Sequence, residues 1–265
     1  MTPNQLLHYA DSGLPWPDDL QAGMTNDVAQ AYQTALAIRQ LRVGRGELPR
    51  GFKIGFTNRN IWPTYQVFGP IWGTVYASTL TQSQGDSAVS LQATCQPRLE
   101  PEVVFGLKMT PPPNATPEAL FDCLDWVAPG FEIVQSHAVN WKFTAAMTVA
   151  DGGLHARLVV GRPVSIHALA ADAAGLNRIL AACPVSLTKN GALVDQGVGA
   201  NVLGSPLLAL HHFLNELRAC PGAPDLQPGD VVTTGTWTDA WPVATGETWQ
   251  AQFAEPLGRL TVQFQ

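Results

Sequence analysis

The chain has 265 residues, 46% of them apolar and 14% charged, so it can bury a sizeable core and is not of disordered composition. A net charge of −6 without a basic cluster or stripe argues against binding a nucleic-acid backbone. Four scattered cysteines form no Cys-x-x-Cys pair, which speaks against a structural zinc site, and no apolar run is long enough to span a membrane. The N-terminus lacks the basic-then-apolar pattern of a signal peptide, so the expected setting is the cytoplasm, with reduced thiols.

Residues 1–50 read as a helical N-terminal segment, a structural lid or oligomer arm, on a β-rich catalytic domain of residues 51–265. A first short helix is expected over Asn4–Ala10, ending at Asp11-Ser12-Gly13. A second is expected over Val28–Leu41, capped by Thr25-Asn26-Asp27 and stopped by Gly44 and Gly46. Strands follow at Phe52–Phe56, Gly73–Tyr76 and Leu99–Leu107. Thr116-Pro117 opens a helix expected to reach Val127. Phe131–Gln135 and Leu154–Val160 read as strands and Ala173–Ala182 as a helix. Asn190-Gly191 marks a hairpin between Val185–Lys189 and Ala192–Gln196. A helix from Ser205-Pro206 to Ala219 precedes strands at Val231–Thr234, Thr248–Phe253 and Gly258–Phe264. Long excursions separate the strands, so this is no βαβ alternation.

The stretch Leu99-Glu100-Pro101-Glu102-Val103 carries the first chemical signal. Residues i and i+2 of a strand share a face, so Glu100 and Glu102 project together. Two buried carboxylates repel and resist desolvation, and a hard divalent cation relieves both costs. An edge strand with an acidic face in water is the alternative from the local pattern. Glu132, entering the apolar run Phe131–Val134, can complete a three-carboxylate set. Lys53 is a lone cation among the glycines and apolar residues of Gly51–Thr57, either in solvent or at a ligand-binding turn. Lys142 and Asp151 also lie in apolar settings, with His137 and His155 nearby as proton carriers or packing histidines. Thr233-Thr234-Gly235-Thr236 reads as a carboxylate nest or a plain turn.

In order along the chain, Gly51-Phe52-Lys53-Ile54-Gly55-Phe56-Thr57, Leu99-Glu100-Pro101-Glu102-Val103, Phe131-Glu132-Ile133-Val134, Asn190-Gly191, Gly204-Ser205-Pro206 and Pro228-Gly229-Asp230-Val231-Val232-Thr233-Thr234-Gly235 form a pattern. It resembles the 2-keto-4-pentenoate hydratase and 4-oxalocrotonate decarboxylase group of the fumarylacetoacetate hydrolase superfamily, over essentially the whole chain. The resemblance implies an α+β fold, a mixed β-roll of the fumarylacetoacetate hydrolase C-terminal type with a helical N-terminal segment. It also implies Mg²⁺ or Mn²⁺ on Glu100, Glu102 and Glu132, with a 2-oxo acid chelated to the ion and Lys53 at the active site. The expected activity is lyase chemistry on a 2-hydroxydienoic acid, and the expected assembly a homo-oligomer. Hydration, decarboxylation and C–C hydrolysis share one enolate, so the metal site does not choose among them.

Departures from the family pattern fall on the proton-moving groups. Ser78 stands where hydratases of this group carry an Asp, Asp151 is kept without the following Asn and Ser, Gln135 replaces a common Asp, and Ser205 replaces a His. The expected catalytic residues are therefore Lys53, Ser78 and His155, with Lys142, Asp151, Thr234, Gly235 and Thr236 on the substrate. A non-catalytic paralogue that binds a 2-oxo acid is the alternative that the loss of the Asp at position 78 favours.

Overall fold

The computed structural model describes residues 1–265. In chain order the helices are α1 (Pro3–Ser12), α2 (Asp18–Ala22), α3 (Val28–Gly44), α4 (Trp62–Tyr65), α5 (Pro117–Cys123), α6 (Ala145–Ala150), α7 (Ile166–Leu169), α8 (Ala173–Ala182) and α9 (Pro206–Ala219). The strands are β1 (Pro49–Gly55), β2 (Ile71–Tyr76), β3 (Leu80–Gln82), β4 (Asp86–Val89), β5 (Arg98–Leu107), β6 (Leu124–Val134), β7 (His155–Val160), β8 (Val164–Ser165), β9 (Pro184–Lys189), β10 (Ala192–Val198), β11 (Val231–Thr233), β12 (Trp241–Pro242), β13 (Thr248–Phe253) and β14 (Arg259–Phe264).

Local chemistry sets the helix starts. Thr2 accepts from the Gln5 amide while the Gln5 side chain accepts from the Thr2 amide, a reciprocal cap that opens α1. Gly13, at φ 67°, closes it. Asp27 Oδ1 accepts from Ala29 and Gln30 and opens α3. Helix α3 packs on α6 and α1 on α3: Leu6, Ala31, Ala146, Met147 and Val149 share one apolar cluster. Tyr32 stacks on Trp72 at 4.6 Å and accepts from the Trp72 amide, which ties α3 to β2.

The larger sheet runs β2-β1-β11-β5-β6-β7-β3, with β12 added to β5 and β8 to β6; the smaller runs β10-β9-β13-β14-β4. Both are mixed: β1–β11, β3–β7 and β4–β14 are parallel pairs and the other pairs are antiparallel. The period-2 alternation of β5 divides the interior. Leu99, Val103, Phe105 and Leu107 face the main core, shared with Trp249, Phe253, Leu260 and Phe264 of the smaller sheet and with α8 and α9. Glu100, Glu102 and Val104 face the concave side. There Val75, Val104, Ala128, Leu158, Val160 and Val231 form a second apolar cluster as β2 and β7 approach across the curl.

Two departures from expectation bear on the site. The helix expected to reach Val127 stops at Cys123, and strand β6 starts at Leu124 rather than Phe131. Pairing with β5 overrides the local helix pattern. Trp126 lies opposite Gly106, where a Cβ would come within 2.0 Å of the indole, so the glycine makes room for the ring. Helix α6, which the sequence pattern did not announce, is capped by Thr144 Oγ1 accepting from Met147.

Pro101 lies in the middle of the long strand β5, where a missing amide would ordinarily cost a ladder bond. Its carbonyl accepts from Trp237, a residue of the segment 234–240 that joins β11, paired with Val104–Gly106, to β12, paired with Arg98 and Leu99. A strand residue's amide and carbonyl point the same way. The proline therefore faces the gap where residues 234–240 leave the sheet, and no ladder donor is lost.

Phe105→Ala is expected to lower the unfolding free energy by about 3–5 kcal/mol, read from urea denaturation. Leu193→Ala, at a side chain 61% exposed, is expected to change it by less than about 0.5 kcal/mol. Equal effects would contradict the placement of the core.

Candidate metal centre and active-site cavity

The β5–β6 register sets Glu132 directly opposite Glu100, with Glu102 two residues further along the same face. One carboxylate oxygen of each lies within 4.8 Å of the others. Lys53 projects from β1 into this group. Its ammonium stands 3.1 Å from Glu132 Oε2 and donates to the Gly153 carbonyl at 2.8 Å. That carbonyl can approach because Gly153 has φ 70° and no side chain; a Cβ there would sit 3.0 Å from both Lys53 Cδ and the Gly73 amide nitrogen.

Glu102 Oε2 accepts from the Gly235 amide at 2.7 Å, while its Oε1 is buried without a partner. Glu132 Oε1 accepts from His155 Nδ1 at 2.9 Å, and its Oε2 meets only the Lys53 ammonium, outside hydrogen-bond geometry. Three carboxylates face one ammonium. Burial pushes the Glu100 carboxyl up to about 7, reinforced by Glu132 and opposed by Lys53 and Arg98. Burial pushes Glu102 well above the usual range, with the Glu132 and Glu100 charges adding to it. Burial by itself would lower the Lys53 ammonium, but Glu132, Glu100 and Glu102 outweigh it and hold it above its ordinary value. All-oxygen donors, orphaned buried carboxylate oxygens and surplus negative charge fit a hard divalent cation.

His155 reaches Glu132 through a bulge. Ile133 pairs with Arg157 and Val134 with His155, so Ala156 has no opposite residue. The extra residue reverses the alternation: Ala156 joins the main core beside Val159, and the imidazole turns to the carboxylate face. Nε2 meets the Thr79 hydroxyl at 2.9 Å, and burial lowers the ring's pKa, so the neutral tautomer donates from Nδ1 to Glu132. Both nitrogens are therefore engaged behind the carboxylate.

A cavity of about 480 Å³ opens above Lys53 and Glu100. Gly235 and Thr236 line it, yet the Gly235 amide serves Glu102 and the Thr236 hydroxyl serves the Thr238 carbonyl. Other expected residues stand apart from it. Thr234 is fully buried, its hydroxyl donating to the Val103 carbonyl. Lys142 turns to solvent between Trp141 and Phe143, which both line the cavity. Ser78 donates to Glu47 Oε2 at 2.9 Å, and Asp151 accepts from the His137 amide and pairs with its ring. Ser78, Asp151 and His155 line a second cavity of about 350 Å³ between the N-terminal helices and the sheet. Backbone separates the two cavities, Gly73 against Gly152 and Gly153. Sequence reasoning missed Arg98, Phe56, Tyr65, Trp141 and Phe143 in the main cavity. Arg98 was within reach of the i, i+2 rule applied one step before Glu100. The aromatic residues had no such signal, being scattered over two connecting segments, one of which includes α4.

The sequence pattern described as fumarylacetoacetate (FAA) hydrolase C-terminal matches residues 68–265, and the chain belongs to that family. Its curated relatives include a 2-hydroxyhexa-2,4-dienoate hydratase of Comamonas testosteroni, 33% identical over 89% of this chain and 86% of that protein. They also include a 4-oxalocrotonate decarboxylase of a Pseudomonas species, 28% identical over 82% of this chain and 81% of that protein. Among solved structures, the 4-oxalocrotonate decarboxylase of Pseudomonas putida G7, complexed with magnesium and adipate, superposes with a TM-score of 0.85 at 25% identity, covering 100% of this chain and 99% of that one.

With the Glu100 carboxyl pushed up to about 7 and Glu102 raised well above its ordinary value, the metal-free cluster takes up protons as the pH falls through about 7, and a cation must displace them. Apparent Mg²⁺ affinity is expected to fall as the pH drops through about 7, with proton release seen as a buffer-dependent heat of binding. Glu102→Gln is expected to abolish the Mg²⁺-induced rise in melting temperature. An unchanged thermal shift in that variant would remove the metal assignment.

Proposed function

We propose that this chain is a divalent-metal-dependent lyase that hydrates a 2-hydroxydienoic acid, the enol of an unsaturated 2-oxo acid. The carrying observation is the set of buried Glu102, Glu132 and Lys53 with partly buried Glu100 at an open cavity. The hydratase and decarboxylase relatives support the same class of substrate. Glu100, Glu102 and Glu132 would hold Mg²⁺ or Mn²⁺, which supplies the positive charge that stabilises an enolate.

The protein's own groups divide the remaining work. Lys53 Nζ is the titratable group that both lines the cavity and touches the carboxylates, so we assign it to hydrogen-bond the substrate and carry the proton. His155 acts on Glu132 rather than on substrate: it fixes the carboxylate's orientation from behind. Ser78, held by Glu47 in the other cavity, takes no part in this scheme. Decarboxylation is the second reading, favoured by the close superposition on a decarboxylase. The proposal includes a homo-oligomer working in the cytoplasm; Phe68, 92% exposed, offers apolar surface to a second copy, and a monomer in sedimentation would refute that assembly.

The test is to incubate the Mg²⁺-loaded protein with 2-hydroxypenta-2,4-dienoate and follow the loss of diene absorbance. The expected product is heavier by one water. Loss of carbon dioxide from a 2-hydroxydienedioate instead would select the decarboxylase reading, and binding of oxalate with no turnover of any substrate would sink the lyase. Ser78→Ala is expected to keep kcat/KM within about twofold, and His155→Ala to lower it by about 10–100-fold through weaker metal binding.

A further inference from the structure

The wall of the main cavity is built from aromatic rings. Phe56 stacks on Tyr65 at 4.7 Å, Tyr65 on Phe143 at 5.7 Å, and Phe143 meets Trp141 at 6.0 Å. All four rings line the cavity and all four are only partly buried, so the wall keeps apolar area open to a ligand. The backbone is strained to present it. Phe56 at φ 57°, Trp141 at φ 58° and Leu154 at φ 67° occupy the left-handed region that bulky side chains avoid, and all three face this one cavity. Such conformations persist where surrounding structure holds them, and they gather at ligand clamps. Here the holding bonds are visible: Trp62 Nε1 donates to the Phe56 carbonyl at 2.7 Å, and Trp141 Nε1 donates to the Gln96 carbonyl at 3.0 Å.

Charge in the lining works against a second carboxylate on the ligand. Asp195 and Asp239 line the cavity, Asp195 Oδ2 accepting from the Asp239 amide and from Trp241 Nε1. Besides Lys53, the only cation in the lining is Arg98. Its guanidinium lies over the Trp141 ring, 4.2 Å from the centroid, and its charge acts on Glu100.

We infer that this wall makes the protein selective for 2-oxo acids with an uncharged, planar or apolar tail, an aryl group being the best fit, over those ending in a second carboxylate. The inference rests on the reading of the cavity as a 2-oxo acid site. Phe56, Tyr65 and Phe143 are the specificity-determining residues, since a conjugated or aryl tail stacks on rings already aligned with one another.

Calorimetry with the Mg²⁺-loaded protein tests this with three ligands: oxalate, 2-oxo-4-phenylbutanoate and 2-oxoadipate. The phenyl compound is expected to bind about tenfold more tightly than 2-oxoadipate. Tyr65→Leu and Phe143→Leu are expected to erase most of that ratio, whereas Tyr65→Phe keeps it. Equal affinities, or tighter binding of 2-oxoadipate, overturn the inference while oxalate binding still upholds the site. Absence of Mg²⁺-dependent binding by all three ligands overturns the site and the inference together.

Discussion

Three carboxylates, two of them fully buried, set beside a single ammonium are the constraint on which the rest of this structure depends. Like charges in a low-dielectric interior repel strongly and shed charge by taking protons unless something compensates them. The fold supplies partial compensation from three directions: the Lys53 ammonium from β1, the Gly235 amide from the segment after β11, and His155 from β7. Each arrives on a different element of one curled sheet. The curl, the bulge at Ala156 and the departure of residues 234–240 beside Pro101 can all be understood as ways of bringing these donors to one place.

How much of this was legible in the sequence depends on the range of the signal. Glu100 and Glu102 announce themselves because strand parity is local: two acids separated by one residue share a face wherever the strand goes. The helices opened by Asp27 and Ser205 are legible for the same reason, since a cap is a contact within a few residues. The beginning of β6 was not. Leu124–Val127 continues a helical pattern locally and becomes strand because β5 offers it a partner, with Gly106 clearing space for Trp126. Lys142 misled for a related reason. It is polar in an apolar setting, which draws attention, but the chain turns it outward and presents its two aromatic neighbours instead.

His155 shows a third category, in which the residue is visible and its role is not. A histidine next to an acidic site invites assignment as a proton carrier. The structure engages both of its nitrogens, one on Glu132 and one on Thr79, on the side away from the main cavity. Ser78 lies on that side as well, bound to Glu47. The departure from the family pattern at Ser78 thus falls behind the carboxylates, as His155 does, and Lys53 remains in front of them.

The bulge gives the site a dependence that no list of residues expresses. His155 faces Glu132 only because one residue, Ala156, has no opposite partner. Parity is a matter of counting, so the length of this short stretch is as much a determinant as its chemistry. A relative that keeps every acid, the lysine and the histidine in the same number of residues, but pairs these strands without the bulge, would turn its imidazole into the apolar core and leave the third carboxylate without its brace. A chain one residue shorter here would need no bulge and would keep its histidine opposite position 134, on the carboxylate face.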